Sequence, residues 1–559
     1  MGDAVKLDPE AFSREQIERV IDTATHDGRW RQRAETDPQS VVSVLGATES
    51  SSEEGGDTLA DVVSVIAVVS SMAFCPQVAP EVQASSRKTW ESLVEAGVVE
   101  ALCRNVIDPA MLANKAGPGQ DEVTHSPYFA SIDALCSATL SFGENMNDTD
   151  RRVVETLLGK WTEMMKRIWE EPASSLKPEE AYFGERAVIP QAFIRLLVTS
   201  PATTLSTVLD PDDHTFALLA RYWLHSTGEA DTELCTAALN ILLDPVNRPG
   251  IDVSDEEGET TLRNTIAAKL NAGFEAASGL HGSDLANKRL MAIAGRAAVL
   301  TPPVLFQELQ LLSATVEDPD VRLATAHHAD FWRAILQVLP MAAKSSQVLD
   351  KVAAGKMLHF LGVSIHNAQA EGMDERLHLL RIWLDTGLFD ALDIVVPECI
   401  PVPGASRGLA LIMIHIQDVL DDHDPESELR HLLYKQLPRS RTVGAMINHD
   451  AVLQSSGRED VQEDVRFSST GWLILLTLGD QATRNTCTRR GCGNPATAKC
   501  ARCKDAVYCS ASCQKSDWKE HKAVCHWANQ TKEVLLSRKL SKLGADYSEL
   551  KALRSSVKP

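Results

Sequence analysis

The chain has 559 residues, too many for one ordinary core, and is 44% hydrophobic and 24% charged but only 5% aromatic. The formal net charge is -22; from Cys487 to Pro559 fifteen Lys/Arg face six Asp/Glu, so residues 1–486 carry -31. So acidic a body argues against broad nucleic-acid binding, and few aromatics with many Ala and Leu favour helix over sheet.

Residues 1–57 start with a helix-like stretch and end in Glu49-Ser-Ser-Ser-Glu-Glu-Gly-Gly-Asp57, a polar run that predicts a mobile loop. The first residues, Met1-Gly-Asp-Ala-Val-Lys-Leu-Asp-Pro, hold no apolar run of the secretory type. Nor does Gly2 precede a Ser or Thr at the position that myristoylation needs. Residues 58–479 read as a succession of short helices. Their longest apolar stretches, Val62–Phe74 and Gly471–Leu478, are too short or too interrupted to span a bilayer. Cys75, Cys103, Cys136, Cys235 and Cys399 stand singly in apolar surroundings and read as buried free thiols. That usage indicates a reducing intracellular compartment, cytoplasm and/or nucleus.

One predicted helix runs from about Asp150 to Glu171. Val154, Leu157, Leu158, Trp161, Met164, Met165 and Ile168 form its apolar stripe, Asp148 or Thr149 caps it, and Pro172 stops it. Asp252–Glu259 reads as an acidic loop. Phe331, Ile335, Val338 and Leu339 repeat the helical stripe up to Pro340, and Arg376–Leu384 does so again. An internal echo links distant parts of this region. Leu93-Val-Glu-Ala-Gly97-Val-Val-Glu-Ala-Leu102 matches Trp383-Leu-Asp-Thr-Gly387-Leu-Phe-Asp-Ala-Leu392 in pattern. Gly can end one helix in a left-handed conformation, and the apolar pair after it starts the next. This resembles the helix junction of armadillo-type repeats. The copies lie 290 residues apart, compatible with seven steps of about 41. The expected fold is therefore mainly α, an armadillo/HEAT-like α-solenoid.

Asp421–Glu428 is a further acidic loop; within it Asp421-Asp-His-Asp424 has ligand-type residues, but solvated charge runs of this kind are ordinary. Residues 480–486 read as a short polar hinge. After it come Cys487, Cys492, Cys500, Cys503, Cys509, Cys513, His521 and Cys525, spaced C-x4-C-x7-C-x2-C-x5-C-x3-C-x7-H-x3-C. Eight thiolate and imidazole ligands fill two closed tetrahedral zinc sites and leave no open position for a catalytic water. The zinc should therefore build structure. Some forty residues bury too little to fold unaided. Ordering them costs about 1–2 kcal/mol per residue, against roughly 10–16 kcal/mol from each structural zinc. Cys509/Cys513 and His521/Cys525 are each four apart and can share a face of a helical turn. Gln514 and Trp518 have the same spacing, and no Gly or Pro interrupts the segment between the two ligand pairs.

This segment, with its Cys500-Ala-Arg-Cys503, Tyr508-Cys509, Cys513-Gln514 and Asp517-Trp518, resembles the MYND zinc finger. The resemblance implies interleaved sites, with Cys487, Cys492, Cys509 and Cys513 on one zinc and Cys500, Cys503, His521 and Cys525 on the other. It also implies that Gln514 and Trp518 line a shallow groove for proline-rich peptides of the PxLxP kind. Two departures are the four-residue gap in the first cysteine pair and Ala501 where a small polar residue is usual. Tyr508 reads as core. Residues 526–559 form a basic tail, in which Lys532–Leu543 reads as a helix.

No phosphate loop or H-E-x-x-H occurs. The expected function is a non-enzymatic interaction scaffold or adaptor, binding proteins through the helical body and proline-rich peptides through the finger. Membrane, nucleic acid and small-molecule substrates are not expected as partners. Substrate adaptor of a ubiquitin ligase is an alternative, because the layout is similar to that of a fungal adaptor with a helical body and a C-terminal MYND finger. A SET-type lysine methyltransferase is a more distant one. Asn448-His449 resembles a short SET motif, but the Cys and aromatic elements expected around it are missing.

Overall fold

A computed structural model describes residues 28–46, 55–74, 78–111, 128–142, 146–171, 183–243, 256–315, 318–422, 428–455 and 462–527. Among them, helices make up nearly everything before Cys487 and no strand occurs there. The chain divides into two compact units, Met1–Ala292 with Gln310–Thr315, and Ile293–Leu309 with Val316–Pro559.

In the first unit, α1 (Pro80–Glu95) and α2 (Val98–Ile107) meet at Gly97, which has φ 94°. A side chain rarely adopts that conformation, so Gly is what allows the corner. Helix α3 (Asp148–Glu170) packs against α2 and buries Val153, Val154, Leu157, Leu158, Trp161, Met164, Met165 and Ile168. Its cap is Asn147, one residue before the expected pair. Asn147 accepts from the Asp150 amide, and the Asp150 carboxylate accepts from the Asn147 amide.

The second unit is built of three-helix repeats. The first has α4 (Pro319–His327), α5 (Ala329–Lys344) and α6 (Val348–Glu371). The next has α7 (Met373–Thr386), α8 (Leu388–Cys399) and α9 (Ala405–Asp422). The last has α10 (Glu428–Lys435), α11 (Ser440–Ser455) and α12 (Gln462–Ala482). Third helices pack in a row, α6 on α9 and α9 on α12; second helices form another, α5 on α8 and α8 on α11. Along α6 and α9, Gly355 faces Val402, Gly362 lies on the Gly408 backbone, and His366 meets His415 at 3.3 Å. These pairings advance together, so the two helices run in the same direction. Gly387 turns α7 into α8 with φ 94°, the same angle as at Gly97, so the two corners are equivalent as the internal echo predicts.

The interior is apolar. Trp332 and Trp383 are fully buried, their rings edge to face at 5.1 Å. The repeats also share a recurrent arginine contact. Arg322, Arg376 and Arg430 sit at the same place on the three first helices and reach the ends of third helices. They meet Glu371 at 2.6 Å, Asp418 at 3.8 Å and the Leu420 carbonyl respectively.

Several expectations need correction. First helices begin at Pro319, Met373 and Glu428 and third helices at Val348, Ala405 and Gln462, so the step is about 54–57 residues rather than about 41. The cause is their length: α6 alone has 24 residues. Pro340 does not end α5 but lies inside it. Proline there forfeits one bond to the carbonyl four residues back, a local cost offset by the apolar face that α5 buries through Phe331, Ile335, Val338, Leu339 and Ala342. The polar run ending at Asp57 is helical from Gly55, and the acidic run of residues 252–259 is helical from Glu256. Acidic residues in a first turn favour the helix rather than oppose it. Residues 423–427, with part of the Asp421-Asp-His-Asp424 run, Cys75 and the tail from residue 528, lie outside the described residues. Cys103, Cys136, Cys235 and Cys399 are buried free thiols. Burial pushes Cys103 up to about 12 and Cys136 to about 11, which keeps them inert. No helix among the described residues is long and apolar enough to cross a membrane.

Candidate metal centre

Residues 480–486 are not a free polar hinge. Helix α12 continues to Ala482, the Thr483 amide donates to Gly479 and the Thr486 amide to Thr483. From there the chain enters a small fold. Strand β1 (Ala498–Lys499) pairs antiparallel with β2 (Val507–Tyr508), Ala498 opposite Tyr508, and a bridge joins Thr486 to Pro495. Helix α13 (Ala511–Cys525) follows, capped by Ser510, whose hydroxyl accepts from the Cys513 amide at 3.2 Å.

These elements gather all eight ligand candidates into two interleaved groups, Cys487, Cys492, Cys509 and Cys513, and Cys500, Cys503, His521 and Cys525. In each group the ligand atoms lie within 4.8 Å of one another. A tetrahedral zinc with Zn–S of about 2.3 Å requires S–S edges of about 3.8 Å. In the first group Cys492–Cys509, Cys492–Cys513 and Cys509–Cys513 are 3.6, 3.8 and 3.5 Å apart. In the second, Cys500–Cys525 is 3.9 Å and Cys503 Sγ to His521 Nε2 is 3.4 Å. Disulfides would need about 2.05 Å. The chemistry and spacing fit two zinc ions, one held by four cysteines and the other by three cysteines and a histidine.

The groups differ in surroundings. All four members of the second are buried, whereas Cys492 and Cys509 of the first are half-buried. Cys509 and Cys513 do not share a helical turn as their spacing predicts, since Cys509 precedes the helix and the bend at Ser510 brings them together. Cys513 is in the first turn of α13, and the Arg489 guanidinium lies 3.6 Å from its sulfur. That contact, with the Ser510 and Cys509 hydrogen bonds, brings the thiol down to about 6, so this sulfur favours the thiolate that zinc needs. His521 is lowered by burial, which keeps its imidazole neutral for coordination. The four-residue gap in the first cysteine pair is taken up by a loop with positive φ at Gly491 and Gly493. It closes with the Cys487 amide donating to Asn494 at 2.8 Å.

Around the ligands lie residues that spacing alone did not single out. Tyr508, core as expected, donates its hydroxyl to Asp517 at 2.7 Å, and both are buried. Burial, then the Asp517 bond, raises the phenol far above its usual range. Arg490 pairs with Glu520 on α13 and lies 3.4 Å from Asp393 on α8. Asp393 also takes Arg439 at 2.8 Å and the Thr442 hydroxyl at 2.6 Å, both at the α11 end of the last repeat. Helix α13 packs on α11: Gly444 faces Ala523, and the Trp527 indole donates to Asn448 at 3.2 Å. Asn448-His449 thus lies within a packed helix, where Asn448 serves this join. A 54-residue recurrence of acid-x-Arg, at Asp320, Asp374 and Glu428, was the available signal for the repeats. The Arg489-Arg490 pair, basic residues at the edge of an acidic body, was the one for the join.

Gln514 is half-buried, and Trp518 is 40% exposed with its ring 5.9 Å from that of His521.

The metal centre defines a two-zinc finger of interleaved type. Residues 487–525 match the family model of the MYND finger, and this part of the chain is a MYND finger. Relatives match locally. Tudor domain-containing protein 1 of Homo sapiens is 35% identical over 65 residues, 12% of this chain and 5% of that protein. The N-lysine methyltransferase SMYD2 of Mus musculus is 40% identical over 63 residues, 11% of this chain and 14% of that protein. Ubiquitin carboxyl-terminal hydrolase 19 of Arabidopsis thaliana is 60% identical over 35 residues, 6% of this chain and 5% of that protein. The chain therefore spans at most 14% of the length of these relatives. A crystal structure of an engineered protein aligns with 82% of this chain and 98% of its own at 13% identity. Its TM-score is 0.32, and at that level it adds nothing to the fold.

Proposed function

We propose that the protein is a non-enzymatic interaction scaffold, in which residues 58–479 offer a helical surface to a protein partner and residues 487–525 dock proline-rich peptides. The observation that carries this reading is Trp518. It is the one large hydrophobic residue of the finger among those left well exposed, and it shares a helical face with Gln514. A bare indole offers a flat apolar surface, and the amide beside it can bond a peptide carbonyl. A proline-rich ligand is already extended and loses little freedom on binding. The small contact area limits affinity to roughly the micromolar range or weaker. With buried free thiols at Cys103, Cys136, Cys235 and Cys399, the protein suits a reducing compartment, cytoplasm or nucleus.

The test is fluorescence anisotropy of a labelled PxLxP peptide with the zinc-loaded full chain. The full chain is used because the finger packs on α11. Saturable binding that Trp518→Ala abolishes, with two zinc retained, is the expected result. Absence of binding by the wild type at millimolar peptide would leave the finger a purely structural element.

A further inference from the structure

We infer that the outer face of α13 selects extended peptides whose proline-containing core is flanked by acidic residues. The inference rests on the peptide-docking reading above and names the class of peptide. On α13, Lys515 and Lys522 lie three residues before and four after Trp518. At 1.5 Å per residue and 3.6 residues per turn, all three share one face over about 10 Å. That span equals three residues of an extended chain.

Lys515 and Lys522 are exposed, as are Lys519 on the same helix and Lys499, Arg502 and Lys504 in the segment that carries Cys500 and Cys503. None of these six cations has an ion pair or hydrogen bond among the described residues. Elsewhere in the second unit some cations are paired, for example Lys351 with Glu398 at 2.9 Å and Arg322 with Glu371 at 2.6 Å. Of the acids within reach of α13, Asp517 is committed to Tyr508 and Glu520 to Arg490, and Asp505 acts on His521. The helix that carries the finger's one exposed large hydrophobic residue therefore also carries three exposed lysines without an ion pair among the described residues, on a chain whose net charge is -22. The zinc–thiolate sets bring about three negative charges of their own. Yet five of the seven cysteines are buried and Cys492 and Cys509 are half-buried, whereas the lysines are exposed, so an approaching carboxylate meets the lysines first. A cationic rim around an apolar centre sets partner choice and encounter rate more than total affinity.

The experiment uses the zinc-loaded full chain and three labelled peptides with one PxLxP core, carrying Gly/Ser, Asp/Glu or Lys flanks. Anisotropy at low salt should give the acidic peptide roughly fivefold tighter binding than the neutral one, and the Lys-flanked one weaker binding. The preference should shrink at 0.5 M salt, by screening. The double variant Lys515→Gln/Lys522→Gln should bind acidic and neutral peptides alike, with the neutral affinity and two zinc per chain kept. Equal wild-type affinity for all three peptides would overturn the inference and leave peptide docking standing. No binding of any of them would instead sink the docking reading itself. Displacement of the acidic peptide by an equimolar single-stranded DNA oligonucleotide would also overturn it, as the mark of a nucleic-acid contact.

Discussion

The repeats of the second unit and the finger attached to them fill their interiors with different material. Between α5, α6 and α7 the buried side chains are Phe331, Trp332, Leu361, Leu380 and Trp383. In the finger the buried cluster is Cys487, Cys500, Cys503, Ala506, Tyr508, Cys513 and Cys525, five of the seven being metal ligands. The repeats are stabilised by apolar area, at about 25 cal/mol per Å². The finger has almost none of that and depends on coordination bonds. The same chain thus contains one region sensitive to shape and another sensitive to chelators.

The largest effect that tests this contrast is zinc removal. A strong chelator, or Cys503→Ser, should unfold residues 487–525, at roughly 10 kcal/mol or more per lost zinc. Metal analysis of the intact chain should give two zinc. Far-UV circular dichroism should lose little beyond the contribution of α13, and a much larger loss would mean that finger and repeats fold as one unit. The reverse experiment is Gly362→Val. A Cβ at Gly362 would lie 2.4 Å from the Gly408 carbonyl oxygen, backbone against backbone. Overpacking there should cost about 3 kcal/mol, read as a lower thermal midpoint, with both zinc ions retained. Zinc loss from this variant would show that the two regions are not separable.

Asp393→Ala probes the join. It leaves the buried Arg439 with Asp390 and the Gln436 carbonyl and takes from Arg490 its carboxylate at 3.4 Å. A loss of about 2 kcal/mol is expected, together with faster proteolysis between α12 and the finger. Unchanged cleavage would mean that α11–α13 packing alone holds the finger. The smallest effect on stability should come from Trp518→Ala, under about 0.5 kcal/mol for an exposed site. Its whole consequence should fall on peptide binding.

The eight ligands were legible because coordination needs particular atoms at particular spacings, and both are written in the chain. Their division into an all-cysteine set and a set containing His521 was legible only through family resemblance; spacing misled for Cys509, which meets Cys513 across a cap rather than along a helix. The corners at Gly97 and Gly387 were legible because positive φ leaves few residue choices. The repeat length was not, since apolar stripes look alike on every helix and two echoes fit any divisor of their separation. Arg322, Arg376 and Arg430 would have fixed it, but a single arginine reads as an ordinary surface charge until its partner is seen. The join through Asp390, Asp393 and Arg490 was hidden for the same reason: it links residues about a hundred positions apart.

The row of second helices, α5, α8 and α11, has a next place, and α13 takes it. Gly444 against Ala523 and Asn448 against Trp527 advance together, so α13 runs in the direction of α11. A stack of repeats is a one-dimensional polymer, in which every added unit offers the apolar face that the following one covers. Such a polymer needs a terminator, or its last face remains open to a second molecule. Here the terminator draws its stability from a metal rather than from the contacts that built the stack. The row of second helices is thereby closed by a metal-built element, and zinc scarcity would uncover the outer side of α11 without melting what lies before it.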